Sequence, residues 1–153
     1  IGHTGICNLR LGVGKDADNL YITCKVKDGE LYSGGQGTQK GSGVFIYLDT
    51  KNECLKEPAE GVYKVWCSYK GDITVWQGNK GKWENSELEG LQITPSVVPG
   101  GYELAFTIPL NRSFNKDTMR LCATLSTKTY TETLVHSNAD WSCTWMKMNL
   151  GGH

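Results

Sequence analysis

The sequence has no apolar run close to the roughly 20 residues that a bilayer-spanning helix needs, and neither sign of charge prevails. Sixteen basic residues balance sixteen acidic ones, so no long-range field favours nucleic acid or an anionic membrane. A neutral partner fits this balance, and we expect neither nucleic acid binding nor membrane insertion. The first residues, IGHTGICNLR, lack the charged and then apolar pattern of a signal peptide. If the protein is exported, we expect its signal to have been removed already.

Catalytic motifs are also missing, since the sequence contains no GxSxG, HExxH or P-loop. A glycosidase would need two carboxylates about 5–10 Å apart, for which Asp49, Glu103 and Glu132 are the candidates. Glu103 alternates with core residues and is expected to face solvent. Asp49 ends a predicted strand, where it either caps a turn or contributes to a calcium site. We therefore expect no enzyme activity and no required cofactor, with structural calcium at Asp49 as the open alternative.

Cysteine is too scarce to make this chain a disulfide scaffold, because six cysteines in 153 residues fall below the roughly 8–10% that marks one. No CxxC is present and the three histidines lie far from cysteine pairs, so zinc has little support. An even number of cysteines in an extracellular domain predicts one to three disulfides, whose pairing stays open. Alternatively, Cys24 and Cys67 are small core side chains, because both are in phase with apolar residues of their strands.

What the chain has instead is a series of short runs that alternate with period two between turn residues. Nineteen glycines and many Asn, Asp, Ser and Thr residues punctuate it every eight to twelve positions, and no helical stripe appears. This pattern predicts an all-β fold, an antiparallel β-sandwich with an immunoglobulin-like or jelly-roll-like two-sheet architecture. We expect residues 1–153 to form one domain, taken from a larger secreted or surface protein. The predicted strands are Asn8–Gly12, Leu20–Lys27, Gly43–Asp49, Val62–Tyr69, Ile73–Gly78, Lys82–Trp83, Leu91–Pro95, Gly101–Pro109, Met119–Thr127 and Thr144–Leu150.

The segment from Val62 to Gly78 is predicted to be a hairpin that turns at Lys70-Gly71-Asp72. This register pairs Tyr69 with Ile73, Cys67 with Val75, and Trp66 with Trp76. Alternation then gives a core face and a second face. The core face carries Val65, Cys67, Ile73 and Val75, and the second face carries Lys64, Trp66, Ser68, Thr74 and Trp76. The paired tryptophans form either an exposed aromatic platform or a cross-strand pair worth about 0.2–1 kcal/mol to the sheet.

Further aromatic residues lie outside the predicted core. In the last strand Met146, Met148 and Leu150 share the core face, which leaves Trp145 on the other face. Trp141 follows a polar turn, and Tyr32, Trp83 and Tyr130 lie in or next to predicted loops. A sugar ring has an apolar C–H face and a rim of hydroxyls, so aromatic surfaces beside hydrogen-bonding groups suit it.

Five phrases in one order resemble carbohydrate-binding module family 9 and, more loosely, DOMON-type domains. They are NLYITCKVKD, GSGVFIYLDTKN, GVYKVWCSYKGDI, GGYELAFTIPL and TWMKMNL. The resemblance implies an antiparallel β-sandwich that binds chain ends or short oligosaccharides between aromatic rings, sometimes with a structural calcium ion. Lys64 occupies a place where the family often has a basic residue, and Tyr32 is the matching aromatic before the GVFIYLD strand. Unlike the family, the chain enters its first strand without an Asp-Gly phrase and tryptophan.

The resulting hypothesis is a non-catalytic module that tethers a secreted or cell-surface protein to an oligosaccharide or polysaccharide. Its predicted binding residues are Trp66, Trp76, Trp145, Trp141, Lys64 and Tyr32. One alternative is an adhesion or scaffold module that uses these aromatics against protein, including other domains of a parent protein. Another is a haem-binding electron-transfer domain using methionine and histidine ligands. Its candidate ligands are Met119, Met146 and Met148 with His3 or His136.

Overall fold

A computed structural model of the chain describes residues 2–3, 7–34, 41–128, 131–133 and 137–151, and these form twelve strands and one 3-10 turn. The 3-10 turn is Ser142–Thr144. In chain order the strands are β1 (Gly2–His3), β2 (Cys7–Lys15), β3 (Asn19–Asp28), β4 (Gly43–Asp49), β5 (Val62–Ser68), β6 (Ile73–Asn79), β7 (Lys82–Asn85), β8 (Gln92–Val98), β9 (Gly101–Pro109), β10 (Thr118–Ser126), β11 (Thr131–Thr133) and β12 (Met146–Asn149).

The strands form two antiparallel sheets. The five-stranded sheet has the order β1-β2-β3-β9-β8. The seven-stranded sheet has the order β11-β10-β4-β5-β6-β7, and β12 also pairs with β10. Both β11 and β12 lie on the edge of β10 away from β4, β11 along residues 124–126 and β12 along residues 118–121. The all-β sandwich predicted from alternation and turn spacing is confirmed.

The core lies between the sheets and is built by the alternation of each strand. In β3, Leu20, Ile22, Cys24 and Val26 are buried while the residues between them are exposed. In β9, Tyr102, Leu104, Phe106 and Ile108 are buried in the same way. Their partners in the seven-stranded sheet include Val44, Ile46, Leu48, Val65 and Leu121. A fully buried aliphatic or aromatic side chain contributes about 1.5–3 kcal/mol, so this core carries the stability of the domain.

Most predicted strand bounds lie within one to three residues of those observed. Gly43–Asp49 and Gly101–Pro109 agree at both ends. The two short edge strands β1 and β11 were not predicted, because two or three residues are too few to show alternation. In the described part of the chain, no helix is long and apolar enough to cross a bilayer.

The β5–β6 hairpin has a different register from the predicted one. Trp66 lies opposite Thr74, and Trp76 lies opposite Lys64, so the two tryptophans are not a cross-strand pair. The connection is longer than three residues because Ser68 organises it. The Ser68 hydroxyl accepts hydrogen bonds from the backbone N–H groups of Lys70 and Asp72, and the Ser68 N–H donates to the Asp72 carbonyl. The register is therefore displaced by two residues, which leaves every side chain on its predicted face.

Two side chains expected in the core are exposed. Ile73 begins β6 beyond the edge of the core, and Met146 is 43% exposed at the start of β12. Met148 is buried as predicted. Both exposed residues stand at the first position of their strands.

The cysteines are mostly core residues. Cys7, Cys24, Cys67 and Cys122 are buried in strands, whereas Cys54 is exposed and Cys143 is intermediate. Burial raises the pKa of the Cys67 thiol to about 12, which suppresses its reactive thiolate form. Within the described ranges, which contain all six cysteines, no disulfide is formed, so the one to three disulfides predicted from the sequence are not found. The interpretation of Cys24 and Cys67 as core side chains is confirmed.

Candidate functional site

The outer face of the seven-stranded sheet carries a cluster of aromatic rings. We call Phe45, Tyr47, Lys64, Trp76 and Trp83 the aromatic face. Register places Tyr47, Lys64 and Trp76 side by side across β4, β5 and β6. Trp83 in β7 lies opposite Gly78, which shares the outer face with Trp76. Phe45 precedes Tyr47 by two residues on β4 and therefore projects from the same face.

Lys64 lies among three of these rings. Its ammonium nitrogen is 4.8 Å from the ring centroid of Trp76, 5.2 Å from that of Phe45 and 5.8 Å from that of Trp83. These distances are typical of cation–π contacts. Burial lowers the pKa of the half-buried Lys64 amine, and the negative charge of Asp140 acts in the opposite direction. The site thus holds a positive charge against an apolar floor of aromatic rings.

A loop from residues 137 to 145 forms one wall of the site. Asp140 accepts a hydrogen bond from the indole Nε1 of Trp83 at 2.9 Å, which fixes the orientation of that ring. The next residue, Trp141, is 45% exposed. Asn138 shapes the loop, because its side chain accepts the N–H of Asp140 and its N–H donates to the hydroxyl of Thr144. The loop therefore places one carboxylate against Trp83, and the exposed indole of Trp141 belongs to the next residue in the chain.

Trp145 anchors this loop and is not part of the exposed surface. It is 3% exposed and its ring lies 5.7 Å from that of Tyr47, between centroids. Its indole N–H donates to the Asn138 carbonyl at 2.7 Å. With Tyr47, Val62 and Cys122 it forms a second, smaller core outside the sandwich. The prediction that Trp145 offers a stacking surface is wrong, because the loop folds back over the sheet and buries it.

Trp66 is also on the outer face yet is 1% exposed. Its ring lies 4.8 Å from that of Phe45 and packs over Gly43, where a β-carbon would come within 2.4 Å of the indole. Its Nε1 has no hydrogen-bond partner among the described residues. The prediction that Trp66 contributes to an exposed platform is therefore wrong, because its ring is packed inside the protein.

The remaining predicted residues are dispersed. Tyr32 is 45% exposed, but within the described segments its ring contacts none of the rings of the aromatic face. Asp49 is fully buried, and its two carboxylate oxygens accept the backbone N–H groups of Glu53 and Cys54. It therefore caps the turn after β4, which was one of the two interpretations from sequence. No group of three or more His, Cys, Asp or Glu side chains gathers among the described residues, and calcium at Asp49 stays a prediction.

Of the candidate haem ligands, Met119 and Met148 are buried side by side in the core, where β10 pairs with β12. Tyr130 and His136 lie outside the described residues, and His3 is described only by its place in β1. Met119 and Met148 therefore have a packing role that needs no haem, whereas Met146 is exposed.

Four members of the site were missed as binding residues from the sequence. Trp83 was placed next to a loop, although the turn at Gly81 and the alternation of β7 put it on the same face as Trp76. Asp140 precedes Trp141 directly but gave no signal of its own, since its contact with Trp83 joins positions 57 residues apart. Phe45 and Tyr47 lie in a strand that is apolar on both faces, so alternation could not assign them.

The fold and this face define a β-sandwich domain with partly exposed indoles around a cationic hydrogen-bond donor. In fold, the chain is similar to two solved structures of a carbohydrate binding module family 9 from Caldicellulosiruptor kristjanssonii, one in complex with glucose and one with cellotriose. Each match covers 96% of this chain with a TM-score of 0.78 at 15% sequence identity. The matches cover 78% of the glucose-bound chain and 76% of the cellotriose-bound chain.

The domain therefore has the family 9-like fold that the five sequence phrases implied. No protein-family model matches the sequence. No curated protein matches it either.

Proposed function

We propose that this chain is a non-catalytic carbohydrate-binding module whose ligand is a neutral oligosaccharide or the end of a polysaccharide chain. The observation that carries the proposal is the Lys64 ammonium held among Phe45, Trp76 and Trp83, with Asp140 bonded to Trp83 and followed by the exposed Trp141. The sugar complexes of the structures with the same fold support the ligand class, glucose and cellotriose being the sugars bound there.

The site offers contacts for both parts of a pyranose ring, its apolar C–H face and its rim of hydroxyls. The partly exposed faces of Trp76, Trp83 and Trp141 would contact the C–H groups of the sugar. Lys64 would donate to a sugar hydroxyl, and the Asp140 carboxylate, already bonded to Trp83, would accept from another. Because such contacts replace bonds to water, the net gain is small and the affinity is expected to be modest.

The role that follows is attachment. A module of this kind would tether a secreted or cell-surface protein to polysaccharide and would need no cofactor for that role. The alternative is adhesion to a partner protein through the same indoles. It predicts that no sugar binds to the folded protein.

The proposal is tested by isothermal titration calorimetry with glucose, cellotriose and a panel of neutral oligosaccharides. We expect Trp76→Ala and Trp141→Ala each to weaken binding of the best ligand about tenfold or more, the size expected when an aromatic contact residue is truncated. The matched control is Tyr21→Ala, which removes an exposed aromatic residue from the five-stranded sheet. It should change the affinity less than about twofold, because its position is on the opposite sheet.

Two results would reject the proposal. The first is the absence of binding to any glycan by the folded wild-type protein, which would favour the protein-adhesion alternative. The second is an affinity that stays unchanged in Trp76→Ala and Trp141→Ala, which would place the sugar elsewhere.

A further inference from the structure

The five-stranded sheet has an outer face of its own, which carries a concentration of positive charge. Arg10 in β2 lies opposite Lys25 in β3, and Lys27 follows on the same side of β3. All three side chains are exposed. Since neighbouring strands lie about 4.8 Å apart and alternate residues of a strand about 6.7 Å apart, the three side chains start from one small patch.

These residues line a groove of about 360 Å³. Its lining also includes Asn8, Val98 at the end of β8, and residues 99–100 in the turn between β8 and β9. The groove is open to solvent along the sheet. It is large enough for a small polar group and part of the molecule to which that group is attached. It lies on the sheet opposite the aromatic face, so the two sites share no residue.

The charges in the groove do not cancel. Glu103 in β9 is opposite Lys25 and is the groove's one acidic lining residue. The ion pair found in the described part of the chain joins Lys128 to Glu30, neither of which lines this groove, so Arg10, Lys25 and Lys27 form none there. In a chain whose formal net charge is zero, this groove is a local excess of two positive charges, three cations against one carboxylate.

We propose that the basic groove binds the carboxylate or sulfate groups of an acidic oligosaccharide. Arg10 would bind the anionic group through its planar pair of N–H donors, and Lys25 and Lys27 would add point charges along the strand. The lining offers no exposed aromatic ring on which a nucleic acid base could stack, because Tyr102 is fully buried, and three cations are few for a phosphate backbone. The anionic group is inferred from the charges of the groove, and the choice of an oligosaccharide to carry it rests on the proposed function.

The experiment measures binding of three hexasaccharides by calorimetry at low ionic strength. They are a sulfated heparin-type chain, an oligogalacturonate that has only carboxylates, and neutral cellohexaose. The triple variant Arg10→Gln, Lys25→Gln, Lys27→Gln should lose at least about tenfold in affinity for the acidic ligand, and wild-type affinity should fall as salt is added. Cellohexaose binding should be the same in variant and wild type. If both acidic hexasaccharides bind, the groove accepts sulfate and carboxylate groups alike. If only one binds, its charged group is the one that the groove recognises.

The matched control is the triple variant Lys80→Gln, Arg112→Gln, Lys147→Gln, which removes two lysines and one arginine that are exposed elsewhere. Its net charge equals that of the groove variant. Any affinity that it loses therefore comes from the lower net charge of the protein and not from the groove. An equal loss of affinity in both variants would overturn the proposal, as would the absence of binding to either acidic ligand. Equally tight binding of a single-stranded DNA oligonucleotide would also overturn it.

Discussion

Replacing Lys64 with methionine separates the two roles that the structure gives this residue, packing and hydrogen bonding. Methionine keeps an unbranched side chain of similar length among Phe45, Trp76 and Trp83 but removes the charge. The lost cation–π attraction, about 0.5–2 kcal/mol, is offset because the half-buried ammonium no longer has to be desolvated. We therefore expect the free energy of unfolding to change by less than about 1 kcal/mol.

The effect on sugar binding should be much larger. A hydrogen bond to a charged group contributes about 1.5–3 kcal/mol, which corresponds to a loss of about 10-fold to 150-fold in affinity. Calorimetry with the best neutral ligand measures this loss, and thermal unfolding measures stability in the same samples. Lys82→Met is the control, since Lys82 is exposed and alternates with Trp83 on β7. Sugar affinity equal to wild type in a folded Lys64→Met protein would refute the role given to Lys64.

The role of Lys64 can also be tested through the pH dependence of stability and of sugar affinity in the wild type. Burial lowers the pKa of Lys64, so at alkaline pH the folded chain binds fewer protons than the unfolded chain, whose lysine retains the ordinary value of 10.5. Wild-type stability relative to Lys64→Met should therefore rise as the pH passes from the lowered pKa towards 10.5. Sugar affinity should fall in that window, because the charged donor is lost. If stability and sugar affinity changed in the same direction over this pH range, the role of Lys64 as a half-buried charged donor would be contradicted.

Two further predictions concern the support of the aromatic face. Trp66→Ala should destabilise the protein by about 3–5 kcal/mol and lower its Tm by roughly 6–20 °C, because Trp66 is buried, whereas the exposed Trp141 should tolerate alanine with a change below about 1 kcal/mol. Equal Tm values for these two variants in a thermal scan would contradict the structural role of Trp66. Gly78→Ala should destabilise by about 1–3 kcal/mol, because the new β-carbon would lie 2.2 Å from the backbone nitrogen of Ala59. Gly14→Ala, whose β-carbon meets nothing within 4 Å, is the control in a urea titration, and equal losses in both would show that the space at Gly78 does not matter.

The sequence by itself determined the strands and the face to which each side chain belongs. Alternation is a local property of an extended chain, so it placed Lys64, Trp66 and Trp76 on one face even though the predicted hairpin register was displaced by two residues. A displacement by an even number moves partners but never exchanges faces. The same local pattern identified the inward side chains of β3 and β9 that make the core.

Only the tertiary structure decided which outward side chains stay exposed. The loop at residues 137–145 folds over the sheet, so it buries Trp145 while it leaves Trp141 at the surface and places Asp140 against Trp83. Burial depends on what packs above a face, and that covering segment is distant in sequence from the strands it covers. Alternation carries no information about such contacts. For this reason the face of Trp66 could be predicted from the sequence, and its burial could not.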